Sequence, residues 1–149
     1  MLKIRKFEKK DASIISKLIR RCLLEVNSKD YPQEIIHFAY EHYSSDKIIE
    51  KSLKRSVFVA VEEGNILGIA SLEENVVYTV FVDPDFHGKG IGTKLMKYVE
   101  KITNDQGYES IKTPSSLTAF EFYERLGYQQ VEVYHSNEWG KNILMEKSL

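Results

Sequence analysis

Three glycines that alternate with other residues separate a strand-like segment from a helix-like segment of this 149-residue sequence. The stretch FVDPDFHGKGIGTKLM (81–96) contains Gly88, Gly90 and Gly92. The first amide groups of a helix lack partners and carry partial positive charge, and glycine allows an anion to approach them closely. Lys89 and Lys94 add formal positive charge to the same stretch. The pattern therefore predicts an anion-binding loop, and a pyrophosphate is the ligand that best suits it.

Two familiar phosphate-binding patterns do not fit this loop. The dinucleotide motif needs GxGxxG inside a βαβ unit, whereas these glycines are spaced GxGxG. The P-loop needs GxxxxGK[ST], and Gly92, Thr93 and Lys94 have a different order. A nucleotide-binding domain with another phosphate ligand remains an alternative reading of the loop.

Hydrophobic periodicity predicts the elements that must position this loop. Strands are expected at 2–7, 56–63, 66–72, 76–82, 109–113, 128–135 and 142–147. Helices are expected at 12–26, from Pro32 onward, at 44–55, at 91–106 and at 117–126. Asp11 is the expected N-cap of the first helix, and tight turns are expected at Gly64-Asn65 and at 73–75. The order β-α-α-α-β-β-β-α-β-α-β-β predicts one α+β domain over residues 1–149, built on a mostly antiparallel sheet.

The amino-acid composition limits the kinds of partner and ligand that this protein is expected to bind. Lysine and arginine number 21 against 22 aspartates and glutamates, for a net charge of −1, so no nucleic-acid or membrane partner is expected. The single cysteine, Cys22, lies on the apolar stripe of the first predicted helix and is expected to pack in the core. His37, His42 and His135 show no metal-ligand spacing, so no metal is expected. The start lacks a long apolar segment, and a cytoplasmic protein is the simplest expectation.

Two motifs resemble those of the GNAT N-acetyltransferase superfamily. Residues 87–92 match the acetyl-CoA signature [QR]xxGxG[AG], except that His87 stands where glutamine or arginine is usual. The segment SLTAFEFYERLGY (116–128) resembles the later motif of the superfamily, with Ser116 in place of the common asparagine. Residues 21–36 and 140–147 look like the YafP-like branch. The resemblance implies the GNAT fold, with a mixed seven-stranded sheet and helices on both faces.

The resemblance also implies where acetyl-CoA would bind. The cofactor would lie in a V-shaped gap between the strand ending near Val82 and the strand at 109–113. Backbone groups of Val80, Phe81 and Val82 would pair with the pantetheine, and an N–H beside Val80 and Phe81 would stabilise the oxyanion. The remaining cofactor contacts that the resemblance implies are His87, Gly88, Lys89, Gly90, Ile91, Gly92, Thr93, Ser116 and Phe122.

The reaction implied is direct transfer of an acetyl group to an amine in a ternary complex. Tyr123 matches the tyrosine that many members use as an acid toward the CoA thiolate, although a core aromatic is the alternative. Many relatives place a glutamate base where this chain has Val76. Glu74, with Glu73 beside it, is the nearest candidate base, directly or through water, and a solvated turn residue is the alternative. The amine could also lose its proton to solvent.

The acceptor is expected opposite the cofactor arm, near residues 26–32, and a capped turn between helices is the alternative reading of this segment. Asp30 could attract an ammonium group, and the other candidates are Asn27, Tyr31, Tyr40 and Tyr43. Trp139 either caps the closing hairpin or forms a wall of the acceptor pocket. The partner is expected to be a small-molecule or peptide amine, and a homodimer is possible because related proteins often form one. A non-catalytic CoA-binding or sensor module is the alternative function.

Overall fold

A seven-stranded sheet runs through the computed structural model, which describes residues 1–149. In chain order the strands are β1 (Lys3–Lys6), β2 (Ser56–Glu62), β3 (Asn65–Glu73), β4 (Val76–Val82), β5 (Ser110–Ser116), β6 (Gln129–Ser136) and β7 (Gly140–Ser148). Side by side they lie in the order β1-β2-β3-β4-β5-β7-β6. Every neighbouring pair is antiparallel except β4 with β5. The mostly antiparallel sheet and the order of elements predicted from the sequence are confirmed.

Five α-helices cover the two faces of the sheet, and short 3₁₀ turns precede α1, α2 and α4. The helices are α1 (Ala12–Glu25), α2 (Gln33–His42), α3 (Ser45–Ser52), α4 (Ile91–Asp105) and α5 (Phe120–Arg125). Leu95 and Met96 of α4 pack with Tyr123 of α5 in one core cluster, and α1 to α3 pack in a second cluster on the other face. None of these helices combines the length and the apolar composition needed to cross a membrane.

The third strand shows why the sheet accepts helices on both sides. Leu67 and Ala70 of β3 belong to the cluster under α4, whereas Ile66 and Ile69 belong to the cluster under α1 to α3. A strand whose two faces are both apolar must be covered twice, because either face would otherwise remain in water. The near-continuous apolar sequence of β3 therefore dictates the three-layer arrangement.

The two central strands diverge soon after they meet. β4 and β5 share one parallel bridge, Val76 with Lys112, and β4 then runs on to Val82 without a strand partner on that side. Just before the divergence, the Lys112 amide donates to the Asn75 carbonyl at 2.9 Å. β5 is held instead by β7, with which it pairs over seven positions from Ser110 to Ser116. The sheet therefore opens into a V-shaped gap between β4 and β5.

An irregularity in β4 lies where the gap begins. Ser71 of β3 pairs with Thr79, but the next residue, Leu72, pairs with Val77, so Tyr78 is an extra residue in β4. A bulge of this kind bends a strand and increases its twist. The bulge therefore gives a local cause for the separation of β4 from β5.

Some predicted boundaries were wrong in informative ways. β5 extends to Ser116 rather than ending at residue 113, because its whole length pairs with β7. The helix predicted at 117–126 is only Phe120–Arg125. The two tight turns are Glu63-Gly64 and Glu74-Asn75, since Asn65 and Glu73 already pair within strands.

Asp11 is the N-cap residue of α1, as the sequence predicted, but its side chain makes no capping hydrogen bond to that helix. It ends a short 3₁₀ turn (Lys9–Asp11), and its carboxylate accepts a hydrogen bond of 2.8 Å from the Glu8 amide. The Arg5 guanidinium donates to both carboxylate oxygens, at 2.8 and 3.0 Å. The Arg5 hydrogen bond is the main reason that the pKa of Asp11 lies below its usual value. Asp11 therefore ties β1 to the start of α1 through an ion pair.

Candidate active site

A cavity of about 920 Å³ occupies the gap between β4 and β5. It extends from the glycine loop at the start of α4 to aromatic residues of α2 and of the β6–β7 turn. Tyr78 to Val82 line one wall, and Pro114 and Ser116 line the opposite wall. One continuous space therefore joins the predicted anion site to the region in which an acceptor is expected.

The glycine loop has the backbone geometry that the sequence predicted. Gly88 and Gly90 adopt positive φ angles of 79° and 81°, a region that side chains other than glycine rarely adopt. A Cβ added at either position would meet no atom within 4 Å, so the space in front of both is open. Gly90 is the N-cap of α4, which places the unpartnered amides of the first turn at the cavity. Lys89 and Lys94 are exposed beside this turn.

Gly92 has a different structural role from Gly88 and Gly90. Its φ is not positive, and a Cβ added there would lie 3.0 Å from the ring of Phe122. Gly92 therefore allows α4 and α5 to approach each other beneath the loop, and Phe122 forms part of the cavity wall there. Sequence spacing alone could not separate this packing role from anion binding. Ile91 is buried under the same turn, and Thr93 lines the cavity.

The His87 ring closes the loop onto the end of β4. Its Nε2 lies 2.8 Å from the Val82 carbonyl oxygen, so this nitrogen must be the N–H donor. The Cys22 thiol donates to the same carbonyl at 3.1 Å. Cys22 is buried as predicted, and burial raises the pKa of its thiol to about 12. His87 thus fixes the loop through a backbone group, and Cys22 is held as the neutral thiol.

Tyr123 lies between the core and the cavity. Its side chain is 5% exposed, packs edge-on against Phe122 and Tyr128, and still forms part of the cavity lining. Burial raises the pKa of Tyr123 to about 12, and the nearby Thr113 side chain partly opposes that effect. The phenol is therefore protonated at neutral pH. Both readings of Tyr123 from the sequence, a core aromatic and a cavity proton donor, fit this position.

Neither of the carboxylates proposed as bases lines the cavity. Glu74 is exposed in the β3–β4 turn with a φ of 55° and does not line the cavity. Glu73 accepts a hydrogen bond of 3.3 Å from Arg55 Nε. The sequence placed both residues near the active strand, but the turn directs the chain away from the gap. Glu74 is therefore not brought together with the other predicted site residues.

The connection between α1 and α2 contributes Asn27 and Tyr31, two of its three candidate acceptor residues, to the cavity lining. Tyr31 lines the cavity, its hydroxyl donates to the Lys141 carbonyl at 2.7 Å, and it accepts from the Leu117 amide at 2.8 Å. Asp30 accepts a hydrogen bond of 2.8 Å from Thr118 and does not line the cavity. Ser116 lines the cavity while its Oγ accepts from the Ala119 amide at 3.1 Å. Tyr31 therefore joins three segments around the gap, and the exposed Asp30 carboxylate lies beside Thr118, which lines the cavity.

Two basic side chains that sequence reasoning missed lie with aromatic side chains at the far end of the cavity. Lys51 and Arg55, near the end of α3, line it together with Tyr43, Tyr78 and Trp139. Trp139 packs edge-on against Phe38, His42 and Tyr43, so it is a wall of the cavity. Lys51 lies in the last turn of α3, and Arg55 lies three residues beyond the end of that helix, where its amide donates to the Lys51 carbonyl at 3.0 Å.

The family of this chain follows from comparison with known proteins. The family model for the acetyltransferase (GNAT) domain matches residues 27–149. An uncharacterised N-acetyltransferase of Escherichia coli K12, YafP, is 29% identical over 148 residues, covering 97% of this chain and 94% of YafP.

Two solved structures share the fold. A GCN5-related N-acetyltransferase from Rhodopseudomonas palustris has a TM-score of 0.92 at 24% identity, over 99% of this chain and 95% of that chain. PaiA N-acetyltransferase from Thermoplasma acidophilum, solved in complex with coenzyme A, has a TM-score of 0.83 at 20% identity, over 100% and 99% of the two chains. The glycine loop, the splayed sheet and these matches lead to one conclusion: the chain belongs to the GNAT acetyltransferase family and is an acyltransferase.

Proposed function

We propose that this protein transfers the acetyl group of acetyl-CoA directly to an amine within a ternary complex. The observation that carries the proposal is the continuity of the cavity. It runs from the open glycine loop at the start of α4, along the unpaired edge of β4, to the aromatic end beside Trp139. An extended cofactor with a diphosphate at one end and a thioester at the other suits a space of this kind.

In this proposal the diphosphate binds to the N–H groups of residues 88–93. Gly88 and Gly90 leave the approach open, and the first turn of α4 supplies unpartnered amides and partial positive charge. The pantetheine amides take the place of the missing strand beside Val80, Phe81 and Val82. The coenzyme A bound to the PaiA relative supports this class of ligand.

The chemistry needs one new bond and one broken bond. The amine nitrogen attacks the thioester carbonyl, a C–N bond forms, and the C–S bond breaks to release CoA thiolate. A backbone N–H beside Val80 and Phe81 stabilises the oxygen that becomes negative during attack. Tyr123, protonated at neutral pH, donates a proton to the departing sulfur and recovers one from solvent.

The amine proton leaves to solvent rather than to a carboxylate. None of the residues that line the cavity is aspartate or glutamate. The amine therefore reacts from its neutral form, in a cavity that is open to water. Direct transfer is favoured over an acyl-cysteine, because Cys22 is buried and its raised pKa keeps the thiol neutral.

The test combines binding and turnover. Calorimetry with CoA, ATP and NAD measures which ligand the loop accepts, and thiol release from acetyl-CoA across a panel of amines measures transfer. We expect CoA to bind more tightly than either nucleotide and at least one amine to release thiol. Preference for ATP or NAD would reject the cofactor assignment, and tight CoA binding without turnover on any amine would favour the sensor module.

A further inference from the structure

The charges that line the cavity are all of one sign. Its 34 lining residues include Lys51, Arg55 and Arg125 and no aspartate or glutamate. The chain as a whole has a net charge of −1, so this asymmetry belongs to the cavity and not to the composition. Positive charge is expected near the phosphates of CoA, but Lys51 and Arg55 lie elsewhere.

Distance along β4 separates these two cations from the phosphate loop. The Arg55 guanidinium covers the ring of Tyr78, with 3.8 Å between its central carbon and the ring centroid. Tyr78 lies four residues before Val82, or about 13 Å along an extended strand, and the glycine loop begins beyond Val82. The pair therefore lies at the acceptor end, beyond the expected position of the thioester.

Lys51 is a cation without an anionic partner. Its ammonium nitrogen lies 4.3 Å from the ring centroid of Tyr43 and 5.9 Å from that of Trp139. No carboxylate oxygen lies within 4.0 Å of this nitrogen, although eleven salt bridges are formed elsewhere in the chain. The two rings hold the ammonium group at the cavity wall by cation–π attraction. An anion at this point would compensate for the water that Lys51 loses on burial.

Arg55 is held so that part of its guanidinium remains available. Its Nε donates to Glu73 at 3.3 Å, and the plane lies over Tyr78. The terminal nitrogens take part in no hydrogen bond of the structure. A guanidinium fixed at one edge presents its remaining N–H groups in a set direction, which suits a carboxylate or phosphate.

We propose that the acceptor amine also carries an oxyanion, a carboxylate or a phosphate, and that Lys51 and Arg55 bind this group at the acceptor end of the cavity. The proposal rests on the proposed acetyl transfer and adds the class of acceptor. The same site disfavours polyamines, whose additional ammonium groups would approach Lys51, a cation with no carboxylate oxygen within 4.0 Å. Free amino acids and phosphorylated amines are the two sources of the required chemistry.

The first experiment compares matched acceptors by thiol release. Each of the common L-amino acids is compared with its own amide, and phosphoethanolamine is compared with ethanolamine and spermidine. We expect the preferred acceptor to show a kcat/KM at least about ten-fold above that of its neutral partner. A preference for amino acids over their amides identifies the bound oxyanion as a carboxylate. A preference for phosphoethanolamine over ethanolamine identifies it as a phosphate. If amides, ethanolamine or spermidine are better substrates, the oxyanion proposal is overturned while acetyl transfer stands.

The second experiment uses variants of α3. Lys51→Met removes the charge and retains a long apolar stem, Lys51→Arg retains the charge, and Lys47→Met is the control, because Lys47 is exposed one turn earlier and does not line the cavity. We expect Lys51→Met to raise the KM of the anionic acceptor about ten-fold to hundred-fold with little change in kcat. Lys51→Arg and Lys47→Met should remain near the wild-type value. A loss confined to kcat, or an equal effect of Lys47→Met, would contradict oxyanion binding.

A third measurement does not depend on turnover. N-acetyl amino acids and their amides, as well as N-acetylphosphoethanolamine, are titrated into the CoA-saturated protein, which tests binding of the acetylated product. An acid that binds more tightly than its amide, and loses that advantage in Lys51→Met, supports the proposal. Equal binding of acid and amide throughout the series overturns it, whether or not the right acceptor was in the kinetic panel.

Discussion

The hydroxyl of Thr113 donates a hydrogen bond of 2.9 Å to the carbonyl oxygen of Val77, at the point where β4 and β5 begin to diverge. Thr113 is 1% exposed and Val77 is fully buried. The bond therefore fixes the apex of the V-shaped gap from inside the core, where no water can replace it.

Thr113→Val should destabilise the fold and widen the gap. The substitution leaves the Val77 carbonyl without this donor, which costs about 1–3 kcal/mol in free energy of unfolding. Thr103→Val is the control, because the Thr103 hydroxyl donates within α4 to the Val99 carbonyl at 2.8 Å, far from the cavity. Urea unfolding measures the stability of both variants, and calorimetry measures their affinity for CoA. Equal CoA affinity in Thr113→Val and wild type would show that the apex does not hold the site.

Gly90→Asp should weaken CoA binding more than it weakens the fold. A residue other than glycine at φ 81° costs about 1–2 kcal/mol, and the carboxylate also faces the phosphates. Gly64→Asp is the matched control, since Gly64 has a φ of 79° in the β2–β3 turn and equally open surroundings. We expect similar losses of stability in both variants, and an affinity loss of about ten-fold or more only in Gly90→Asp. Equal CoA affinities of Gly90→Asp and Gly64→Asp would show that the loop is not part of the CoA-binding site.

Gly92→Ala tests the packing role assigned to the third glycine. Alanine is normally the better helix residue, but its Cβ would lie 3.0 Å from the Phe122 ring. We expect a loss of about 1–3 kcal/mol in free energy of unfolding. The double variant Gly92→Ala, Phe122→Leu should recover part of this loss, and thermal or urea unfolding measures it. If Gly92→Ala is more stable than the wild type, α4 and α5 can move apart to accept the added Cβ.

Tyr123→Phe should lower turnover more than affinity for either substrate. Loss of a general acid typically costs about 100-fold or more in kcat when chemistry limits the rate. Tyr128→Phe is the control, because Tyr128 packs against Tyr123, donates to Glu100 at 2.7 Å and does not line the cavity. That control should lose stability but retain kcat. Single-turnover rates are measured at saturating substrate. If Tyr123→Phe and wild type have equal rates, Tyr123 is a core residue and not the general acid.

Binding of an anionic acetylated product should weaken as the pH rises. Burial lowers the pKa of Lys51 to about 8, with Arg55 and Lys47 acting in the same direction and Glu50 opposing them. The pKa of the neighbouring His42 is lowered, so His42 is neutral in this range, and Tyr43 meets Lys51 through its ring. Lys51 is charged below about 8 and loses its charge above it, so the dissociation constant should rise from about pH 7 to about pH 9.5. The Lys51→Arg variant should show a flat profile, and a wild-type profile as flat as this would argue against Lys51 as the anion-binding group.

The sequence predicted the parts of the site that depend on local backbone chemistry. Gly88 and Gly90 indicate positive φ angles in the loop. The segment that contains Phe122 and Tyr123 indicates the short helix α5. Both follow from short stretches whose meaning does not depend on the rest of the chain.

The remaining features depend on long-range pairing, which one sequence does not reveal. The end of β5 is set by β7, about 30 residues later, and the bulge at Tyr78 is a one-residue register shift between β3 and β4. In the sequence, Lys51 looks like an ordinary surface lysine of α3. The rings of Tyr43 and Trp139 that contact its ammonium group belong to other segments of the chain. The sequence likewise places Asp11 at the N-cap of α1, but it does not reveal that the carboxylate pairs with Arg5 of another element.

The single bridge between Val76 and Lys112 also bears on the order in which the protein is made. All of β1 to β4 precede all of β5 to β7 in the chain, and β5 relies for its position on β7. A ribosome-bound chain that already displays the whole glycine loop therefore has only one side of the cleft. The other side forms only after β7 has left the exit tunnel and docked against β5.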